Sequence, residues 1–131
     1  FNVNAATDVT GYGLIGHLYE MCKSSNVSAE IETNKVPFFK NVEQFAKKGA
    51  VPGGTGRNLE FYSKHIKFAD SIKNHQKLML ADAQTSGGLL ISLSEKDAHS
   101  LSSFCKERSL GSVQIIGKFT SSKNPKIIFN R

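Results

Sequence analysis

Between Leu14 and Ile31 the apolar residues of this chain change period, and that change limits the folds open to it. Leu14, Ile15, Leu18, Met21 and Cys22 fall at i, i+1, i+4, i+7 and i+8, one face of a helix. Ser24-Ser25-Asn26 ends that pattern. Val27, Ala29 and Ile31 then alternate with Ser28, Glu30 and Glu32, the signature of a half-exposed strand. An apolar helical stripe followed at once by a one-faced strand asks for a core shared between helix and sheet.

The rest of the chain extends the alternation. Asn4 to Gly13 reads as a polar, glycine-punctuated approach to the first helix. Pro37 opens a second helix with Phe38, Phe39, Val42, Phe45 and Ala46 inward, Lys47 and Lys48 in its last turn and Gly49 as its cap. Residues 50–58 are too glycine-rich for regular structure, and Leu59 to His75 is helical in part. Asp82 to Gly88 is a loop that feeds a short buried strand, Leu89 to Leu93. Ser94-Glu95-Lys96-Asp97 resembles a capping box, in front of a helix with Ala98, Leu101, Phe104 and Cys105 inward. A strand through Val113, Ile115 and Ile116, a turn over 121–125 and a strand at Ile127 to Phe129, hairpinned to the one before it, complete the order. The class is α+β, with helices packed on a mixed sheet, in a single domain over residues 1–131.

Composition narrows the function. No apolar run approaches the roughly 20 residues of a membrane helix. No basic, apolar, small-residue progression suggests a signal peptide. The two cysteines, Cys22 and Cys105, fit buried helix positions better than a disulfide or a CxxC pair, so a cytoplasmic, reduced, soluble domain is expected. The net charge of +6 is concentrated: residues 35–77 hold nine of seventeen Lys and Arg against three acids, Glu43, Glu60 and Asp70. Such a stretch either attracts anions or is a solvated lysine face.

Three loops can carry chemistry. In Thr7-Asp8-Val9-Thr10-Gly11-Tyr12-Gly13, Asp8 is either an oxygen ligand for Mg²⁺, with Gly11 and Gly13 admitting a ligand to the backbone, or it or Thr10 is a helix N-cap. In Pro52-Gly53-Gly54-Thr55-Gly56-Arg57-Asn58 the amides, Thr55 and Arg57 either cradle phosphate or make a mobile turn; the Gly-Lys-Ser/Thr ending of a Walker A loop is missing. Asp82 to Gly88 is a strand-approach turn or the polar rim of a site. His17 falls on the polar side of the first helix and reads as a surface or packing hydrogen-bonder. With His65 and His75 at non-ligand spacings, no histidine metal site is read. No catalytic triad, nucleophile elbow or HExxH motif is present.

Together the three loops resemble a family. Ala6-Thr7-Asp8-Val9-Thr10-Gly11-Tyr12-Gly13-Leu14-Ile15-Gly16-His17, then Val51-Pro52-Gly53-Gly54-Thr55 with Asn58, then Asp82-Ala83-Gln84-Thr85-Ser86-Gly87-Gly88-Leu89-Leu90 are similar, in order and spacing, to the signatures of selenophosphate synthetases. Tyr12 stands where that pattern has phenylalanine, and Ala83 where it has proline. The resemblance implies the C-terminal domain of the aminoimidazole ribonucleotide synthetase type, α+β and partly ferredoxin-like. It further implies that the whole enzyme would be a selenide, water dikinase, converting ATP, selenide and water to selenophosphate, AMP and orthophosphate. It also implies Asp8 as a Mg²⁺ ligand at the ATP phosphates, with Thr7, Thr10, Gly11, Gly13, Gly53, Gly54, Thr55, Thr85 and Ser86 at or supporting the cleft. The reactive cysteine or selenocysteine, its lysine and the other Mg²⁺-binding aspartates belong to the family's N-terminal half, which also dimerises. No catalytic residue is therefore expected in these residues, and no activity from them alone. Two other readings remain: another ATP-dependent member of the superfamily, or a non-enzymatic nucleic-acid-binding module. The second lacks an RNP-like aromatic strand, a KH loop or a helix-turn-helix signal.

Overall fold

A computed structural model of the chain describes residues 1–122 and 124–131. The elements in order are β1 (Val3–Asp8), α1 (Gly13–Ser25), β2 (Val27–Glu32), α2 (Val42–Lys47), α3 (Gly53–Tyr62), β3 (Ile66–Phe68), α4 (Asn74–Ala81), β4 (Leu89–Leu93), α5 (Glu95–Glu107), β5 (Gly117–Ser121) and β6 (Ile127–Asn130). Single 3₁₀ turns follow β2 and α3. The helices and mixed sheets are those of an α+β domain.

The change of period at Asn26 is real. Asn26 caps α1 in the left-handed conformation, with φ 53°, and its N–H reaches the carbonyls of Cys22 and Lys23. β2 then runs through the middle of a four-stranded sheet of order β3-β6-β2-β5. It pairs antiparallel with β5, Ala29 opposite Phe119, and parallel with β6, Ala29 opposite Ile127. Ile15, Leu18 and Cys22 of α1 pack with Ala29 and Ile31 of β2 and Ile127 and Phe129 of β6, and Tyr62, Leu80 and Ala81 close the core from α3 and α4. Phe68 stacks on Phe129 with ring centroids 5.2 Å apart. Burial pushes the Cys22 thiol up to about 11, as expected of a cysteine used as a small hydrophobe. Among the described residues no helix is long and apolar enough to cross a membrane.

Several expectations change. The polar approach over 4–13 is half strand: β1 pairs antiparallel with β4, Asp8 opposite Leu89 and Val3 opposite Leu93, forming a separate two-stranded sheet. Its Asn-Ala-Ala-Thr sequence has little intrinsic β preference, and the pairing partner supplies what propensity does not. β4 is half-buried rather than buried, with Leu89 72% exposed. Residues 53–58, read as irregular, are the first part of α3; Pro52 precedes the first turn, and packing against α1 and α4 outweighs the glycines. Leu59 to His75 is helical in part, as expected: α3 and a 3₁₀ turn run to His65 and α4 begins at Asn74, with β3 between them.

The second helix begins at Val42, not Pro37, and buries nothing; Phe38, Phe39 and Phe45, expected inside, are exposed. Gly49, one residue beyond the Lys48 cap, does take φ +77°. Ser94 accepts the Asp97 N–H at 3.1 Å, but the Asp97 carboxylate accepts from Asn2 instead of returning to Ser94, so only half of a capping box forms. α5 buries no residue fully, and Phe104 lies between Phe1 and the Arg108 guanidinium. The strand expected at Val113–Ile116 starts at Gly117, and β5 and β6 are no hairpin because β2 lies between them. Of the turn expected over 121–125, Lys123 lies outside the described residues.

These packing differences set an order of stabilities. Phe129→Ala, emptying a position with no solvent exposure, is expected to cost about 3–5 kcal/mol, while Phe39→Ser, at 82% exposure, stays within about 0.5 kcal/mol. Urea unfolding measures both, and similar losses at the two positions would contradict this core.

Candidate functional site

β1 delivers Asp8 to the start of a tight turn. Its side chain is exposed and, among the described residues, makes no hydrogen bond or ion pair. It is not a helix cap: Tyr12 occupies the N-cap position of α1, with no side-chain cap bond. Thr10 does not cap either; its hydroxyl shares a 3.1 Å hydrogen bond with Nε2 of His17. His17 is buried, which makes it the packing hydrogen-bonder of its two readings and not a surface one, because α1 turns that face toward Thr10, Tyr12 and α3. Its Nδ1 lies 3.7 Å from Glu20. The Thr7 hydroxyl donates to the Asp8 carbonyl at 3.2 Å. Gly13 begins α1 at φ +63°, and a Cβ there would lie 2.6 Å from the Ala81 backbone. Only glycine accepts both the left-handed conformation and that approach.

The Asp82–Gly88 loop is locked onto this turn. Val9 N–H donates to Gly88 at 2.9 Å and Gln84 N–H to Thr10 at 3.0 Å. At Gly87 a Cβ would fall 1.9 Å from the Val9 carbonyl oxygen, so backbone meets backbone. α3 fastens the pair from a third direction. Thr55, fully buried, donates its hydroxyl to the Asp82 carboxylate. The Asn58 amide donates to the carbonyls of Gly11 at 2.9 Å and Ala81 at 3.1 Å. At the end of α3, Tyr62 packs edge-on to Tyr12 and against Tyr19, which stacks on His65 at 4.1 Å. Burial raises the Tyr62 hydroxyl above its ordinary range, with Glu20 adding to the effect.

The three motifs are thus one hydrogen-bonded assembly. Asp8, Thr10, Gly11, Thr85 and Ser86 come from two loops joined backbone to backbone, with Asp8, Gly11, Thr85 and Ser86 exposed. Gly53 and Gly54 open α3 beneath the Arg57 guanidinium, and Thr55 and Gly13 are enclosed. Asn58 and Asp82 are the members whose parts the sequence did not give. Their signal was the fixed spacing inside the motifs, but a side-chain bond to a carbonyl distant in the chain leaves no local pattern.

The assembly and the α+β frame around it define a class. Residues 1–130 match the family model of the AIR synthase related protein, C-terminal domain, and the chain belongs to that family. It is 38% identical, over 99% of its length, to a selenide, water dikinase of Aliarcobacter butzleri, covering 37% of that relative. It is also 38% identical over 98% of its length to selenide, water dikinase 2 of Peptoclostridium acidaminophilum, again covering 37% of the relative. A selenide, water dikinase of a Shewanella strain is 47% identical over 70% of this chain and 25% of its own. The chain therefore spans about a third of the length of the full-coverage relatives.

Neighbouring glycines test the lock. Gly87→Ala must push Val9 away and is expected to destabilise by about 1–3 kcal/mol, whereas a Cβ on Gly88 meets nothing within 4 Å, so Gly88→Ala is expected to be near neutral. Thermal unfolding of the two variants decides; equal effects would mean that the loops are not in contact.

Proposed function

We propose that this chain is the C-terminal part of an enzyme that makes selenophosphate, AMP and orthophosphate from ATP, selenide and water, and that its joined loops form one wall of the Mg²⁺-ATP cleft. The observation that carries this is the exposed Asp8 carboxylate, unpartnered among the described residues, beside a glycine turn that is hydrogen-bonded to the loop carrying Thr85 and Ser86. The dikinase relatives favour this over a nucleic-acid-binding module.

A lone carboxylate suits Mg²⁺, which takes one or two protein carboxylates and fills its remaining positions with phosphate oxygens and water. Among the described residues no group of three His, Cys, Asp or Glu could hold a metal, so in this reading the chain contributes one ligand rather than a cage. Mg²⁺, when bound with ATP, supplies neutralisation of phosphate charge. Asp8 holds its oxygen ready at the strand end. The Gly11 backbone and the Thr85 and Ser86 hydroxyls offer donors to phosphate oxygens, with Thr7 and Thr10 shaping the wall. Gly13 and Thr55 support that wall from inside, and Gly53 and Gly54 start the helix that carries Thr55.

By the family resemblance, the nucleophile, its lysine and further Mg²⁺-binding carboxylates come from the part of the enzyme that this chain does not span. That part is the partner of this one and the source of a homodimer, in a cytoplasmic enzyme. The residues described here are then inactive alone.

The test compares full-length wild type with Asp8→Asn, given ATP, Mg²⁺ and selenide anaerobically, with phosphorus NMR following selenophosphate and AMP. Wild type is expected to form both, and the folded variant to lose at least about 100-fold in rate. A variant as active as wild type removes Asp8 from the site, and a wild type that makes no selenophosphate removes the dikinase reading.

A further inference from the structure

The wall described above depends on how far apart its two loops stand, and one side chain measures that gap. Asn58, half-buried near the middle of α3, spends both amide hydrogens on it: one on the carbonyl of Gly11, in the turn after Asp8, the other on the carbonyl of Ala81, directly before Asp82. Both bonds leave a single planar nitrogen, so the directions of its two N–H groups fix where the two carbonyls stand relative to each other. One helical turn earlier Thr55 holds the same loop by the Asp82 carboxylate. An ionised aspartate at position 58 would present only acceptors to two acceptors, and a shorter hydroxyl would not span them.

We propose that Asn58 is a positioning residue for nucleotide binding: it sets the separation between the Gly11 turn and the Thr85-Ser86 loop, and so the fit of both to a polyphosphate. This rests on the Mg²⁺-ATP cleft reading.

The test uses the full-length protein as wild type, Asn58→Ala and Asn58→Asp, with two kinds of readout. Without nucleotide, amide exchange is followed at Gly13 and Gln84, whose N–H groups both donate to the Thr10 carbonyl. With nucleotide, KM for ATP and kcat are separated, and Mg²⁺-ATP affinity is measured by calorimetry across pH. Asn58→Ala is expected to speed exchange at both amides and to raise KM for ATP about tenfold, with a smaller effect on kcat. In Asn58→Asp the carboxyl regains one donor only when protonated, and facing two carbonyl oxygens raises its pKa, so its affinity for Mg²⁺-ATP should recover toward wild type as the pH falls through that raised pKa, and that of Asn58→Ala should not. A merely structural role lowers the amount of folded enzyme and leaves KM and this pH difference untouched; that result overturns the proposal. Unchanged exchange at Gly13 and Gln84 overturns it too. If wild type binds no Mg²⁺-ATP, the cleft reading fails and takes the nucleotide role of Asn58 with it, while faster exchange in Asn58→Ala would still establish the clamp.

Discussion

Backbone contact between the Val9–Gly13 turn and the Asp82–Gly88 loop is the constraint on which the rest of the molecule depends. The two segments lie about seventy residues apart in the chain and touch where no Cβ fits, at Gly87 beneath Val9 and at Gly13 against the backbone of Asp82 and of Ala81 just before it. Their ladder continues outward as the β1–β4 pair and inward as the junction of α1 with α4. Folding must therefore close a long loop before these contacts form, and their reward is two otherwise polar segments whose carbonyls and amides satisfy one another. α3 converts that contact into a fixed geometry, because Thr55 and Asn58 bond to both segments from one rigid element.

The core was legible where a single face carries the apolar residues. The stripe of α1 and the alternation of β2 need only local periodicity, and both lie where expected. What failed were elements made by their partners. β1 has alanines and polar residues and is a strand because β4 pairs with it; α3 has glycines in its first turn and is a helix because Thr55 and Tyr62 are buried against α1 and α4. The phenylalanines of 38–45 misled in the opposite sense, since apolar composition says that a residue profits from burial but not what buries it. The expected hairpin of the last two strands rested on the habit of neighbouring segments to pair, and β2, which lies between β5 and β6, takes both pairings instead.

At the site, residue type and spacing gave the members but not their division of labour. Asp8 could be ligand or cap, and the cap went to Tyr12. Thr55 stood among candidates for ligand contact, yet its hydroxyl is enclosed on Asp82. His17 could be a surface or a packing hydrogen-bonder, and it is the buried partner of Thr10. Each of these outcomes is decided by a contact between segments remote in sequence. The exposed set, Asp8, Gly11, Thr85 and Ser86, is what remains free once the enclosed set has been assigned to support.

The most direct test of this wall replaces Mg²⁺ by paramagnetic Mn²⁺ in the ATP complex of the full-length protein and maps amide line broadening by NMR. Broadening should centre on residues 8–13 and 84–88, be relieved by excess Mg²⁺, and spare β3 and Phe38, Phe39 and Phe45. Broadening centred on α2 or α5, with Asp8 and Gly11 unaffected, would contradict the assignment of these loops to the nucleotide.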